Sequence, residues 1–459
     1  MQSLLKNKKL LLILILGFVL RIGLFMQNAP WQKDVETKQV LINDATGYHR
    51  LAQKILFEHS FQGDMFRTPG YPVIVAAVYG VFGIHPWIVL LIQVFVSTLT
   101  LLLFYKIAEY IFNERTALWS TLFFATSSIY ILHTDLLYTE TFYMVFHLIA
   151  IYGFYKFLKE DKLKYIVLCG VFTGIATLTR PSQQFYPFAF ILLSVLYYKF
   201  DFKKILKLTF ALLIPCYLVL FPWMLRNYKL DKHWQISTVG KFNMLFYNCA
   251  LTEAKHTGIP YLDVVKNQIK EIKANEKPSF ALPDSFDNIW INVTFEKADL
   301  YGKYASKYIK EHPKNFIKDH IIGMIKTHFN IGIQNIIMRL HIPTKYRLND
   351  DQRYASGIFS VAKTFMQKKS LTEILIAALI GLHLLLIYLF AVIGSVRLIK
   401  EEQYILLLFF AGSILYFLLL SGILAYSRFR IPFEIFYILL AGYGIDWILK
   451  KREKNILTT

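Results

Sequence analysis

The sequence predicts an all-α polytopic membrane protein, and three observations lead to that fold class. Of the 459 residues, 55% are hydrophobic and 16% are aromatic, more apolar surface than a soluble chain of this length would use. Several uncharged runs reach the ~20 residues that a helix needs to cross a bilayer. Lysines cluster between these runs, as they do in the cytoplasmic loops of membrane proteins.

The formal charge of +20 could indicate a nucleic-acid partner, but the placement of the lysines argues against one. An excess of lysine in short loops between spans is the pattern of cytoplasmic anchoring. We therefore predict no nucleic-acid partner, both termini in the cytoplasm and a bacterial inner membrane. The grouped basic residues are Lys6, Lys8 and Lys9; Lys156, Lys159, Lys162 and Lys164; Lys199, Lys203, Lys204 and Lys207; and Lys450, Lys451, Arg452 and Lys454.

Apolar runs and basic loops together predict about ten membrane spans. The first run has basic residues ahead of it like a signal peptide, but no small-residue cleavage site follows, so we expect a retained anchor. An even number of crossings agrees with two cytoplasmic termini. The predicted spans lie near residues 10–27, 87–107, 116–132, 141–158, 165–179, 185–198, 208–225, 371–394, 403–424 and 431–449.

These spans divide the sequence into three predicted parts. Residues 1–225 form an N-terminal transmembrane module, whose first outer loop covers residues 28–86. Residues 226–370 form one long extracytoplasmic segment with amphipathic helices, and residues 371–459 form the C-terminal transmembrane helices.

Four further stretches are predicted to be helices that do not cross the membrane. Thr46 to His59 places Tyr48, Leu51, Ala52, Ile55 and Leu56 on one face, which is typical of a helix lying along the outer surface. Gly70 to Gly83 is apolar but too short to span, so we expect a re-entrant or interfacial helix. In the long outer segment, Phe295–Glu311 is a helix candidate, and a second amphipathic helix is predicted from Lys314 to Arg339.

Five arginines are predicted on the outer side, where the distribution of positive charge does not require them. A guanidinium offers a planar fork of donors that matches phosphate, so their convergence favours an anionic substrate. Arginines near helix ends also snorkel into the interface, and an anionic lipid head group is a further alternative. The five are Arg67, Arg180, Arg226, Arg428 and Arg430.

Acidic residues near the spans are scarce, which makes each of them more informative. Asp44 stands in the first polar stretch after the first span. Asp135 and Glu140 are the only acids between Thr116 and Tyr155, at a predicted outward turn. A carboxylate at membrane depth is costly and usually functional, although either of these two could be a solvated turn acid. Glu140 opens an apolar helix, whose N-terminus would stabilise its charge.

Metal and nucleotide motifs are missing from the sequence. The histidines are scattered, and no His-x-x-x-His or Glu-x-x-His pair occurs in a span. Three cysteines at irregular spacing indicate neither a disulfide framework nor a metal site. Phosphate loops and dinucleotide fingerprints are absent too. We predict no metal site and no certain cofactor, while assistance by a divalent metal is left open.

The ordered set of motifs resembles the GT-C superfamily of membrane glycosyltransferases. Within it, the similarity is to the branch that contains protein O-mannosyltransferases and the aminoarabinose transferase of lipid A. Each motif alone is weak, but their order and their positions relative to the spans are fairly specific. The motifs are Asp44-Ala45-Thr46-Gly47-Tyr48, Arg67-Thr68-Pro69-Gly70-Tyr71-Pro72, Leu137-Tyr138-Thr139-Glu140, Pro222-Trp223-Met224-Leu225-Arg226-Asn227-Tyr228 and Tyr426-Ser427-Arg428-Phe429-Arg430-Ile431-Pro432.

The resemblance implies a GT-C-like bundle, with residues 1–225 as its catalytic module. It also implies a polyprenyl-phosphate sugar as donor and a reaction at the outer membrane face, with Asp44 as the catalytic acid of the first loop. Arg67 would contact the donor phosphate, as would the other four outer arginines, and Glu140 would be a second acid of the reaction. Substrate contacts are expected from Tyr48, Tyr71, Asp135 and Tyr426. Where many protein O-mannosyltransferases have two adjacent acids, this chain has Asn43-Asp44, so the acceptor could be a glycan, a lipid or a protein.

Two other classes of function stay open from the residues alone. An oligosaccharide polymerase or ligase acting on pyrophosphate-linked chains would also use outward arginines and a long outer loop. A lipid or solute transporter would place its ionisable residues near the bilayer midplane, often at broken helices, whereas here they sit at span ends.

Overall fold

The computed structural model describes residues 7–61, 63–276, 293–344, 363 and 367–458, and these residues form helices and connecting turns without a β-strand. Seven of the helices are long and apolar enough to cross a membrane, and each coincides with a predicted span. They are Lys8–Asn28, Pro86–Ile111, Glu140–Glu160, Phe202–Asp231, Leu371–Lys400, Tyr404–Ser421 and Ser427–Ile456. The fold class is therefore confirmed: the chain is an all-α integral membrane protein.

The count of ten spans is not confirmed, because three of the predicted spans correspond to shorter helices. Predicted spans 165–179 and 185–198 appear as Leu163–Thr179 and Tyr186–Tyr197. Predicted span 116–132 is divided into Glu114–Thr126 and Ser128–Thr134. The break falls at Ser127, where the backbone is extended and the hydroxyl donates a hydrogen bond to Glu434 Oε1 at 2.8 Å.

The two helices predicted for the first loop form, as Asp44–Glu58 and Gly70–Phe82. Gly70 starts the second helix in direct contact with the end of Leu163–Thr179. A Cβ at Gly70 would lie 2.7 Å from the carbonyl oxygen of Leu178, closer than two non-bonded atoms approach. Glycine therefore allows this outer helix to pack on the transmembrane bundle.

The segment 226–370 begins inside a helix, since Phe202–Asp231 continues past the predicted boundary at 225. Its following helices share an apolar core around Phe246 and Tyr301. They are Val239–Asn243, the π-helix Met244–Cys249, Ala250–Thr257, Tyr261–Asn275 and Phe295–Glu311. Residues 277–292 and 345–362 of the predicted segment lie outside the described residues. The three-part division of the chain stays a prediction.

The second amphipathic helix of this segment is two helices, not one. Pro313–Phe329 and Ile333–Arg339 are separated by a turn at Gly332, whose φ of 69° is in the left-handed region that favours glycine. The interruption changes the chain direction and lets the shorter helix line the cavity described below. The remaining short helical segments are Lys33–Val35, Glu36–Val40, Pro181–Gln183 and Ser427–Arg430.

Candidate functional site

A cavity of about 1250 Å³ lies where the first-loop helices and the span ends meet. Five of the residues predicted from the sequence to act on substrate line it with charged groups. They come from chain segments nearly 400 positions apart, and only the tertiary fold brings them together. These residues are Asp44, Arg67, Glu140, Arg180 and Arg428.

Asp44 is the first residue of the helix Asp44–Glu58 and faces two arginines. Arg428 Nη1 donates to Asp44 Oδ2 at 2.7 Å, and Arg67 Nη2 lies 3.9 Å from Oδ1. Partial burial by itself raises the pKa of the Asp44 carboxyl, but the charges of Arg428 and Arg67 outweigh burial and hold the pKa below its usual value. The side chain keeps 37% of its surface exposed, so the carboxylate is open to the cavity.

Arg67 is held in place from several directions. The Asp64 carboxylate accepts the backbone N–H groups of Phe66 and Arg67, both at 2.9 Å. The guanidinium carbon lies 5.4 Å from the centre of the Tyr48 ring, a cation–π distance. The guanidinium also lies directly against Gly47, where a Cβ would be 2.3 Å from Cζ. Because Gly47 has no side chain, the first-loop helix and the Arg67 guanidinium can pack in direct contact.

Arg226 is outside the cavity lining, although its motif was part of the predicted phosphate site. It stacks over Trp223 at 4.4 Å and donates to the backbone carbonyl of Asp64 at 2.8 Å. Asp64 in turn orders the backbone before Arg67. The placement makes Arg226 a support for the Arg67 loop.

Glu140 and Arg180 form a second ion pair in the cavity wall. Arg180 Nη1 donates to Glu140 Oε1 at 3.0 Å, and the two side chains are only 13% and 4% exposed. Arg180 also lies 5.8 Å from the ring centre of Tyr143. The pair is enclosed enough to act as a rigid unit, and it leaves Arg180 facing the cavity.

Arg430 and Tyr71 do not line the cavity either. Arg430 Nε donates to Glu434 Oε2 at 2.6 Å, and Nη1 donates to the carbonyl of Asn330 at 2.8 Å. These bonds tie the end of Pro313–Phe329 to the last span. The Tyr71 hydroxyl donates to Gln93 Oε1 at 2.8 Å inside the protein, and its ring supports Tyr48 edge-on.

Asp135 is fully buried next to the cavity, whereas Arg339, its partner, lines it. Arg339 Nη1 lies 3.2 Å from Asp135 Oδ2, which also accepts from Asn28 Nδ2 at 2.7 Å. Burial raises the pKa of Asp135 to about 7, and the charge of Arg339 only partly opposes this. Tyr426 lines the cavity beside Arg428.

Several cavity residues escaped the sequence argument. Arg339 interrupts an apolar run, Ile336-Ile337-Met338-Arg339-Leu340, and the reasoning used for the other outer arginines would have found it. The ring centre of Tyr138 lies 5.6 Å from the guanidinium carbon of Arg428. Tyr138 belongs to the motif Leu137-Tyr138-Thr139-Glu140, but it was not predicted to contact substrate. Gln334 carries no motif at all, so no sequence signal pointed to it.

The donor set of the cavity does not fit a divalent cation. Within the described part of the chain, no three metal-ligating side chains lie together. Asp44 and Glu140, the carboxylates that line the cavity, each contact a guanidinium. A hard divalent cation takes about six oxygen ligands, more than these two paired carboxylates offer.

Comparisons with known proteins show similarity in part of the sequence and in the fold. Residues 67–225 match the family model described as dolichyl-phosphate-mannose-protein mannosyltransferase. The fold is similar to archaeal oligosaccharyltransferase AglB from Archaeoglobus fulgidus in complex with an inhibitory peptide and a dolichol-phosphate, at 14% identity and a TM-score of 0.53. The apo form of the Archaeoglobus fulgidus oligosaccharyltransferase gives 12% identity and 0.54.

The chain spans about half the length of these oligosaccharyltransferases. The alignment with the peptide complex covers 97% of this chain and 51% of that one, and the apo form gives 96% and 50%. ArnT from Cupriavidus metallidurans bound to undecaprenyl phosphate aligns over 95% of this chain and 77% of its own, at 12% identity and a TM-score of 0.36, which is too low to carry an argument. No curated protein matches the sequence significantly.

Proposed function

We propose that this chain, whose fold is similar to that of an archaeal oligosaccharyltransferase, is a GT-C membrane glycosyltransferase that transfers a sugar from a polyprenyl-phosphate donor to an acceptor, inverting the anomeric centre. The observation that carries the proposal is one open carboxylate, Asp44, facing the guanidinium groups of Arg67 and Arg428 in a cavity that Arg180 also lines. The membrane is proposed to be a bacterial inner membrane, with both termini cytoplasmic and the cavity on the outer side. A glycan, lipid or protein would serve as acceptor.

Arg428 and Arg67 would exchange partners when the donor binds. In the structure both face Asp44, at 2.7 and 3.9 Å. The two non-bridging oxygens of the donor phosphate share one negative charge, and guanidinium groups match their geometry. As the arginines turn to the phosphate, Asp44 loses their stabilisation, its pKa rises and it becomes a better base. Donor binding would thereby activate the site.

The reaction is a single displacement. The acceptor oxygen attacks the anomeric carbon of the donor sugar, forming the new glycosidic bond, while its proton passes to Asp44. The bond between the anomeric carbon and the phosphate oxygen breaks, and polyprenyl phosphate leaves with one additional negative charge. Arg67 and Arg428 stabilise that charge as it develops. Attack opposite the leaving group inverts the anomeric centre.

Glu140 and Arg180 would complete the polar wall of the cavity. Arg180 provides a third guanidinium for the anionic donor, and Glu140 fixes its direction through the 3.0 Å contact. We assign Glu140 to positioning Arg180 and the acceptor. Tyr48 and Tyr426 would flank the substrate, because both line the cavity beside the arginines.

A second candidate is the transfer of an oligosaccharide from a pyrophosphate-linked donor. Its support is the cavity volume of about 1250 Å³, which exceeds the ~300–1,000 Å³ of ordinary small-molecule sites. The fold similarity to oligosaccharyltransferases points in the same direction. A transporter is less favoured, because both ion pairs involve helix ends, as at Asp44 and Glu140.

The experiment compares purified wild-type protein with Asp44→Asn, using labelled sugars on undecaprenyl phosphate and a crude envelope acceptor. Transfer by Asp44→Asn should fall at least ~100-fold while donor binding persists, since the variant keeps the cavity but loses the base. Asp263→Asn is the matched control, because Asp263 is exposed and distant from the cavity lining. Equal transfer by Asp44→Asn and wild type would reject the mechanism. Consumption of pyrophosphate-linked chains alone would favour the second candidate.

A further inference from the structure

Besides Arg339, whose Nε is one such atom, two polar side chains in the cavity wall have buried atoms without a hydrogen-bond partner among the described residues. Both amide atoms of Gln334 are in this state, and so is the hydroxyl of Ser182. Both residues line the cavity. A buried polar atom is costly unless something satisfies it, so an unsatisfied atom at a cavity wall indicates a partner that binds there.

The arginines and these two residues suit different parts of a substrate. A phosphate offers only acceptor atoms, and the guanidinium groups of Arg67, Arg180 and Arg428 supply donors to it. The Gln334 amide supplies one acceptor and two donors, and the Ser182 hydroxyl supplies both kinds as well. A sugar hydroxyl also donates and accepts, so two neighbouring hydroxyls can satisfy both ends of one amide.

The local structure fixes both residues without occupying their polar groups. Gln334 lies in the first turn of Ile333–Arg339, directly after the left-handed Gly332. Ser182 lies in the turn Pro181–Gln183, and its backbone carbonyl accepts the Tyr416 hydroxyl at 2.8 Å. The backbone is therefore held at both positions, while the side-chain polar atoms have no partner among the described residues.

We propose that Gln334 and Ser182 bind hydroxyl groups of a sugar in the cavity and so determine which sugar is accepted. This inference rests on the proposed function, under which every productive complex contains a sugar. The sugar belongs either to the donor or to a glycan acceptor, and the chemistry of recognition is the same for both. Neither residue takes part in bond making, so both are specificity-determining residues.

The test uses Gln334→Leu, Gln334→Glu and Ser182→Ala, with undecaprenyl-phosphate mannose and its singly deoxygenated analogues as donors. If the bound sugar is the donor's, the wild type should lose about tenfold in kcat/KM with the analogue that lacks the bound hydroxyl. Gln334→Leu should show the same loss of kcat/KM with the complete donor. Removing the bound hydroxyl from the donor should then lower the kcat/KM of this variant no further. Ser182→Ala should abolish the loss of kcat/KM that the wild type shows with a different deoxygenated analogue. Gln334→Glu should restore part of the discrimination between the complete donor and its analogue.

Folding stability separates recognition from a structural role. Replacing an unsatisfied amide by leucine removes a buried polar cost, so the Tm of ligand-free Gln334→Leu should equal or exceed that of the wild type. Gln403→Leu is the matched control, since Gln403 is exposed and away from the cavity lining. A Tm that falls in parallel with activity would overturn the proposal.

Two arms distinguish the source of the sugar. If it is the donor's, the analogue pattern appears in the slow transfer to water without any acceptor. If it is the acceptor's, transfer to water is the same in wild type and Gln334→Leu, and the KM for the envelope acceptor rises about tenfold in the variant. A Gln334→Leu variant that matches wild type in both arms overturns the inference alone. Inactivity of the wild type with every polyprenyl-phosphate donor would instead reject the proposed function.

Discussion

Gly47→Ala should displace Arg67 without unfolding the protein. The new Cβ would lie 2.3 Å from Arg67 Cζ and 2.4 Å from Nη2. Non-bonded heavy atoms rest at ~3.5–4.0 Å, so the guanidinium must retreat by about 1 Å. Because the clashing atoms are the far end of a long side chain, the backbone can stay in place. The guanidinium then leaves its position over Tyr48 and beside Asp44.

The expected loss is large for activity and small for stability. A misplacement of ~1 Å in a substrate-positioning group can cost about 100-fold in rate, or ~2.7 kcal/mol of activation free energy. An alanine within a helix gains ~0.5–1 kcal/mol over glycine, which offsets part of the strain. We therefore expect kcat/KM with an undecaprenyl-phosphate donor to fall about 100-fold, while the free energy of unfolding changes by no more than ~1 kcal/mol.

Two controls make this prediction sharp. Gly23→Ala introduces the same side chain into another helix, where the new Cβ meets no atom within 4 Å, and it should leave activity unchanged. In an Arg67→Ala background, Gly47→Ala should add almost nothing, because the displaced group is gone. An equally large loss in that background would refute the reasoning, as would wild-type kcat/KM in Gly47→Ala itself.

Three further predictions concern neighbouring charges. Arg428→Gln should raise the pKa of Asp44, because it removes a positive charge beside the carboxylate. The acid limb of the plot of kcat/KM against pH should therefore move to higher pH than in wild type. An unchanged acid limb would contradict the pairing of Asp44 with Arg428. Asp135, whose pKa is raised to about 7, binds more protons folded than unfolded between pH ~4 and ~7, so stability falls as pH rises through that window. Asp135→Asn should flatten this slope in Tm against pH, and an unaltered slope would assign it to another group. Arg226→Ala should lower kcat/KM about tenfold, because it removes the hydrogen bond that holds the Asp64 loop. Arg226→Lys should not restore activity, since lysine cannot form the planar stack on Trp223. Full activity in either variant would exclude the support role.

The membrane-embedded part of the fold was largely predictable from sequence, because lipid demands long apolar helices with internally satisfied backbones. All seven long spans were found for this reason. The interruption at Ser127 was not found, and the hydrogen bond that Ser127 makes there is to Glu434, more than 300 residues away. The break at Gly332 was missed inside a helix-like hydrophobic pattern, although glycine is the residue that the turn requires.

The kinds of charged group in the candidate site were predictable from the sequence, but not all of the residues that belong to it. Scarce carboxylates and outward arginines identified Asp44 and Arg67, and the cavity holds both. Arg226 and Arg430 satisfied the same criterion but face backbone carbonyls instead of the cavity. An arginine at a helix end can point to lipid, protein or cavity, and sequence position fixes only its depth. Their predicted contacts with phosphate stay predictions.

The sequence by itself determined which stretches enter lipid and which lie at the interface. It also indicated at which end of the bundle guanidinium and carboxylate groups collect. The tertiary structure decided which of these groups meet. Asp44 and Arg428 lie 384 positions apart and contact at 2.7 Å, a distance that no local pattern encodes. Hydropathy is a property of short stretches, whereas a site depends on the rotation of each helix about its axis, and packing against the other helices sets that rotation.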